Sequence, residues 1–482
     1  MLNFRIIFRI IGFLLLGEAF TLLLPLLFSL IYGEADCLAF LYSAALCTVA
    51  GVVLWFFSRK ARRVIGKREG FLIVTLVWVI FSLFGSLPFL LSGAVPHYTD
   101  AFFETMSGFT TTGSTVIPDV EILPHGILFW RSLIQWLGGM GIIVLGLAIL
   151  PAFGIGGMQL FAAEVPGPTT EKLSPRIAET ARRLWLIYFL FTGAETLLLW
   201  VGGMSFFDAV NHSLTTLATG GFSTKNASIA YWDSPFIHYV VIFFMILAGT
   251  NFSLSYCMVT GKYKKAFSNE EFRYYLLFIS LFTVIIFLGL LLSSQPDVEK
   301  SFRDALFQVV SIMTTTGYVT TNYLTWIPIL VILLFSLFFF GGSAGSTGGG
   351  MKIMRVVLLM KDSYYELRRM VHPNAIIPVR FNKRAVPDYI ITNVLAFFMF
   401  YFIVFVFSTI IFTVFEPDLD SAMGAVATCL GNIGPGLGNF GPVNHFGHLH
   451  EISKWFLAFL MLLGRLELFT VLVLFSPGFW KK

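Results

Sequence analysis

Four short stretches of this 482-residue chain combine residue types suited to presenting backbone oxygens: Thr111, Thr112 and Gly113; Thr219, Gly220 and Gly221; Thr315, Thr316 and Gly317; and Asn432, Ile433 and Gly434. Threonine is β-branched and favours extended backbone, whereas glycine accepts positive φ without steric penalty. A Thr-Thr-Gly run is therefore expected to be extended, with its carbonyls turned to one side. Rings of such carbonyls can replace the hydration shell of a monovalent cation. The chemistry these residues offer is coordination through backbone oxygen.

The stretches belong to an internal repeat. Asp100, Asp208 and Asp304 each precede the glycine of their stretch by 13 residues, and Asp420 precedes Gly434 by 14. Aspartate is a favoured helix N-cap, so each is expected to open a half-helix of about ten residues, roughly 15 Å long, or half a bilayer. Such a helix, entering from one face and stopping at mid-depth, turns its partially negative C-terminal end toward the membrane centre. Four of these ends would stabilise a cation there. Threonine and glycine also serve as small packing residues between membrane helices, but matched offsets in four units are not what packing alone requires.

The elements that must hold these stretches are membrane helices. The chain is 57% hydrophobic and 12% charged, with mean hydropathy +0.82, against roughly 25% charged residues in a soluble domain. The pattern predicts an all-α polytopic membrane protein, with four pseudo-symmetric M1-P-M2 repeats (helix, re-entrant helix, return helix) around a pore and an N-terminal two-helix hairpin. The boundaries are residues 1–70 for the hairpin and 71–152, 153–260, 261–361 and 362–482 for repeats one to four. Return helices are expected near 125–152, 236–260, 326–361 and 452–476, which gives ten crossings. Of the 32 Lys and Arg residues, 26 fall in loops assigned to a single face, which the positive-inside rule makes cytoplasmic. Both termini then lie inside, and the four stretches open outward. The same alternation argues against reading the basic blocks as a nucleic-acid stripe.

Two features lie beneath the stretches. Residues 341–350 include Gly345, Gly348, Gly349 and Gly350 and interrupt an apolar run, since glycine at that density breaks a helix. Arg465 falls within the last apolar helix, where a charge is costly and usually functional. The expectation is a movable barrier made by the loop and Arg465. Glu18 and Glu195 read as partners inside the helix bundle. His445, His448 and His450 read as a solvated outer loop, and Cys37, Cys47, Cys257 and Cys429, lacking CxxC spacing, as thiols without a structural role in metal binding or cross-linking. No catalytic constellation is present, so the chain is not expected to be an enzyme.

Taken together, the four repeats, the stretch Ala218 to Thr224, the loop Gly345 to Gly350 and the run Gly464-Arg465-Leu466-Glu467 resemble the TrkH/TrkG potassium-uptake proteins of bacteria, within a superfamily that includes KtrB and plant HKT transporters. The likeness covers nearly the whole chain. It implies potassium uptake across the bacterial inner membrane, with K⁺ as the transported ion and no organic cofactor in this chain. It also implies a homodimer and a cytoplasmic nucleotide-binding regulator of the TrkA type. On this reading the twelve residues of the four stretches supply oxygens to K⁺, with Asn432, Ile433 and Gly434 the divergent quarter, and Arg465 and the 341–350 loop control passage. A secondary transporter coupling K⁺ to H⁺ or Na⁺ is the alternative.

Overall fold

The computed structural model describes residues 2–59, 66–141, 177–293, 297–375 and 377–481. Lys60, Arg62 and Arg63, the end of the first return helix and most of the basic 153–183 segment lie outside the described residues.

Helices dominate, because a backbone surrounded by lipid can satisfy its polar groups only within itself. Among the described residues, six helices are long and apolar enough to cross a membrane: Phe4–Tyr32, Cys37–Ser58, Lys67–Leu91, Ala181–Val201, Glu270–Leu292 and Asp388–Phe412. The first two pair as the expected N-terminal hairpin. Gly12 and Gly51 let their backbones touch, for a Cβ on either would come within 2.9 Å of the other's carbonyl oxygen. The only strands among the described residues are Arg380–Phe381 and Arg384–Ala385. They are joined by Asn382 and Lys383 at positive φ, the signature of a tight two-residue hairpin.

The return helices follow, and the second and fourth are broken where the sequence predicts continuous helix. Pro235–Ala248 and Phe252–Val259 meet at 113°, and Glu451–Arg465 and Phe469–Phe475 at 110°. In the third, as expected, Pro328–Leu337 is separated from Ile353–Val371 by the Gly-rich segment, and the described part of the first is the helix His125–Gly139. Both of these unexpected breaks have a local cause. Asn251 caps the helix that follows it, accepting from Ser253 N at 2.8 Å, while Glu467 and Leu468 both adopt positive φ, 54° and 52°. Arg465 consequently lies at the end of a helix and not in the middle of one.

Between each outgoing and return helix sits a shorter one: Tyr98–Phe109, Phe206–Leu217, Val298–Met313 and Leu419–Gly431. Contrary to the expectation, the repeated aspartates do not cap them. The caps are His97, Ser205, Asp297 and Asp418, and the Asp residues sit inside the helices. In units two and three they hold the chain as it leaves the loop: Thr224 donates to Asp208 at 2.6 Å and Thr320 to Asp304 at 3.2 Å, each 16 residues on. Glu104 does the same in unit one, accepting from Val116 N at 2.9 Å and from the Thr115 hydroxyl at 3.0 Å.

Candidate functional site: a ring of four loops

All four short helices end in the same way. A left-handed residue ends the helix in every unit: in the first three it follows the helix cap, Thr111 at φ 54°, Thr219 at 54° and Thr315 at 60°, and in the fourth it is the cap itself, Asn432 at 54°. The next residue then donates back to the carbonyl five positions earlier, Thr112 to Ser107 at 2.8 Å, Gly220 to Thr215 at 2.9 Å, Thr316 to Ser311 at 2.8 Å and Ile433 to Thr428 at 3.0 Å. This is the Schellman ending, which normally recruits glycine. Three β-branched threonines in that conformation are outliers that only a closely packed surrounding can hold. The expectation of extended backbone at these threonines is thus corrected: the chain turns at Thr111, Thr219 and Thr315 before it runs outward.

The glycine two residues on is also at positive φ in each unit: Gly113 at 84°, Gly221 at 78°, Gly317 at 79° and Gly434 at 111°. Each lies against the next loop in order. A Cβ on Gly113 would collide with the Gly220 carbonyl, on Gly221 with that of Thr316, and on Gly317 with that of Ile433. One on Gly434 would sit 3.0 Å from the Thr112 carbonyl, which closes the circle. Twelve residues predicted from spacing are therefore gathered into one ring. The left-handed residues at its base are buried, and among the described residues their carbonyls accept no hydrogen bond.

On one side of the ring lies a cavity of about 130 Å³, into which all four glycines face. Ser114, Arg131, Lys225 and His445 are among the residues around it. Burial, with neighbouring His448 and Lys454, lowers the pKa of His445 below its ordinary value.

The opposite side is covered. Arg465 donates to Thr111 Oγ1 at 3.1 Å, to the Thr347 carbonyl at 2.6 Å, and to the carbonyls of Gly138 and Gly139 at 2.6 and 3.0 Å. Those last two end the helix His125–Gly139, whose C-terminal end favours a cation. The Gly-rich loop presses upward beside it: Gly349 N donates to Thr315 Oγ1 at 2.7 Å, and Thr347 Oγ1 to the Leu217 carbonyl at 3.0 Å. A Cβ on Gly348 would lie 2.9 Å from the Thr314 carbonyl, and one on Gly349 2.7 Å from Asn432 Cβ. Close approach, and not only helix breaking, calls for glycine here. The loop is tied from below as well, with Ser343 N donating to Gly249 O at 2.8 Å, Ala344 N to Glu271 Oε1 at 2.6 Å and Asn251 Nδ2 to Ala344 O at 2.7 Å. Lys352 donates to the Gly348 carbonyl, and Arg355 pairs with Glu467 at the break in the last return helix.

Sequence reasoning missed the polar residues behind the ring. Arg131 and Glu104 form a buried ion pair at 2.9 Å, Arg131 also donates to the Ser223 carbonyl at 3.0 Å, and Gln135 donates to the Gly220 carbonyl at 2.6 Å. A signal existed: Arg131 and Gln135 stand four residues apart in an apolar helix, where polar side chains are costly. Glu18 and Glu195 are buried.

A family model described as TrkH, cation transport protein, matches residues 38–482. The chain is 44% identical over 489 residues to the Trk system potassium uptake protein TrkH of Escherichia coli (strain K12), each covered in full. It is 34% identical over 480 residues to TrkG of the same strain, with 99% of both chains covered. The crystal structure of the potassium transporter TrkH from Vibrio parahaemolyticus superposes with a TM-score of 0.90 at 41% identity, over the full length of both chains.

Proposed function

The chain belongs to the TrkH family of cation transport proteins, which are transporters and not enzymes, and from that premise we propose that it takes up K⁺ through the ring of four loops. One observation carries the reading: four successive units place a left-handed residue and a positive-φ glycine in the same positions, and each glycine abuts the carbonyl of the following loop.

An ion arriving in the outer cavity meets the glycine level first. Deeper in, at Thr111, Thr219, Thr315 and Asn432, the backbone is buried and its carbonyls are free, so an ion advancing there exchanges water for carbonyl oxygen. The C-terminal ends of the four short helices favour positive charge at that depth. Below it the Arg465 guanidinium and the Gly-rich loop form the barrier. A fixed cation on the exit path repels a second cation, and the loop narrows the way past it. Passage requires both to shift, and the hydrogen bonds to Thr111, Thr315 and Thr347 set how readily they do so.

The protein acts in the inner membrane with both termini cytoplasmic. A second copy and a nucleotide-binding regulator of the TrkA type act with it. Exposed Met360, Tyr364, Leu367 and Met370 on the helix after the Gly-rich loop offer the cytoplasmic side an apolar stripe for such contacts.

Flux through purified protein in liposomes at controlled voltage tests the reading. K⁺ movement that follows only the K⁺ electrochemical gradient, with Na⁺ excluded, is the expected result. Uphill K⁺ movement driven by an imposed H⁺ or Na⁺ gradient would establish the coupled transporter instead.

A further inference from the structure

The four loops are not braced alike. In unit one the hydroxyls of Thr110 and Thr112, which flank the left-handed residue, hydrogen-bond to each other at 2.8 Å. Thr314 and Thr316 do the same in unit three, also at 2.8 Å. Unit two has Ala218 and Gly220 at these positions, so the hydroxyl pair is missing where two consecutive glycines leave the backbone freest.

Gln135 occupies that place. A Cβ on Gly220 would fall on the Gln135 amide, 2.8 Å from Nε2 and nearer still to Cδ and Oε1. Both ends of the amide are used: Nε2 donates to the Gly220 carbonyl at 2.6 Å, and Oε1 accepts from Phe222 N at 3.1 Å. A side-chain amide, with one acceptor and one donor side, suits this two-sided task. One helical turn earlier, Arg131 donates to the Ser223 carbonyl at 3.0 Å and lies over the Phe222 ring, 4.2 Å from its centroid. One turn later, a Cβ on Gly139 would lie 2.7 Å from Ala218 Cα. The first return helix therefore reaches four places along the second loop.

We infer that Gln135 is a positioning residue that stands in for the missing threonine pair and fixes the width of the ring in its second quarter. The inference rests on the ring being the K⁺ filter. A quarter free to move inward lets the carbonyls close on the smaller Na⁺, so Gln135 sets how well K⁺ is preferred. Gly220 is not at positive φ, so its backbone can take a threonine once Gln135 makes room.

The test compares K⁺ and Na⁺ permeability in proteoliposomes for four proteins: wild type, Gln135→Ala, Gly113→Ser, and the triple variant Gln135→Ala, Ala218→Thr, Gly220→Thr. Gln135→Ala should lower the K⁺/Na⁺ ratio roughly fivefold, the equivalent of one net hydrogen bond, mainly by admitting Na⁺. The triple variant should recover most of the ratio, because it rebuilds the hydroxyl pair of units one and three. If Gly113→Ser loses preference while Gln135→Ala keeps it, the role of Gln135 is overturned and the filter stands. If neither changes the ratio, the filter reading itself falls. A triple variant that stays unselective also overturns the stand-in role. Should Gln135→Ala fail to fold, Gln135→Glu provides the readout: it preserves size and the acceptor for Phe222 N but removes the donor to Gly220. It should lower the ratio as well, and an unchanged ratio would refute the inference.

Discussion

Arg465 donates from Nη1 to the Thr347 carbonyl at 2.6 Å, joining the last return helix to the Gly-rich loop directly beneath the ring. A charged hydrogen bond contributes about 1.5–3 kcal/mol, so Arg465→Ala should shift the barrier toward its open arrangement and raise K⁺ flux by about tenfold or more. Flux in vesicles at fixed voltage measures this. An unchanged or lower flux from monodisperse protein would count against a barrier role.

Thr315→Ala isolates the loop's attachment to the ring. It removes the acceptor of Gly349 N, whose hydrogen bond is 2.7 Å long, at a cost of about 1–3 kcal/mol for a buried donor left unpaired. The left-handed backbone at φ 60° is unfavourable for alanine as for any residue with a Cβ, so nothing offsets that loss. The expected outcome is raised flux with a modestly lowered melting temperature, and a fall in melting temperature without a flux change would contradict it.

Gly317→Ala should damage preference for K⁺ severely. Its Cβ would run into the Ile433 carbonyl, and its φ of 79° is unfavourable for any side chain. Gly193→Ala serves as a control, because a Cβ there meets nothing within 4 Å and the change favours its helix by about 1 kcal/mol. Ion competition assays on the two variants should separate cleanly. Equal selectivity in both would argue against ring geometry as the source of discrimination.

Glu104→Ala strands a buried guanidinium. Arg131 loses its 2.9 Å partner, a change that typically costs about 3–5 kcal/mol. Replacing both by methionine removes the charges together and should restore much of the lost stability. Thermal denaturation in detergent compares the single and double variants; a double variant no more stable than Glu104→Ala would show that the pair is not what holds this corner.

The sequence revealed periodicity better than geometry. The matched spacing of Asp100, Asp208, Asp304 and Asp420 from their glycines identified four units, and the glycines fell where positive φ was needed. The role of the aspartates did not follow, because an N-cap and a tie to Thr224 or Thr320 sixteen residues on look alike until the chain has folded back. Nor could composition foretell that Thr111, Thr219 and Thr315 are left-handed: intrinsic preference points the other way, and tertiary packing overrides it. The breaks at Asn251 and Glu467 were hidden inside apolar runs that read as continuous helix. Gln135 escaped notice because its partner, Gly220, is 85 residues away and contributes only backbone.

Each glycine of the ring leans on the next unit, yet all four units are encoded once, in a single polypeptide. In an assembly of four identical subunits, any basic residue below the ring would appear fourfold, and four guanidiniums converging on one axis would repel one another. Tandem duplication removes that constraint. One quarter can retain an arginine while the other three do without, and Asn432 and Ile433 can replace threonines in one quarter without the change being multiplied around the circle. A positive charge such as that of Arg465, placed beneath one quarter of the ring, is thus an arrangement that covalent linkage of the repeats makes available.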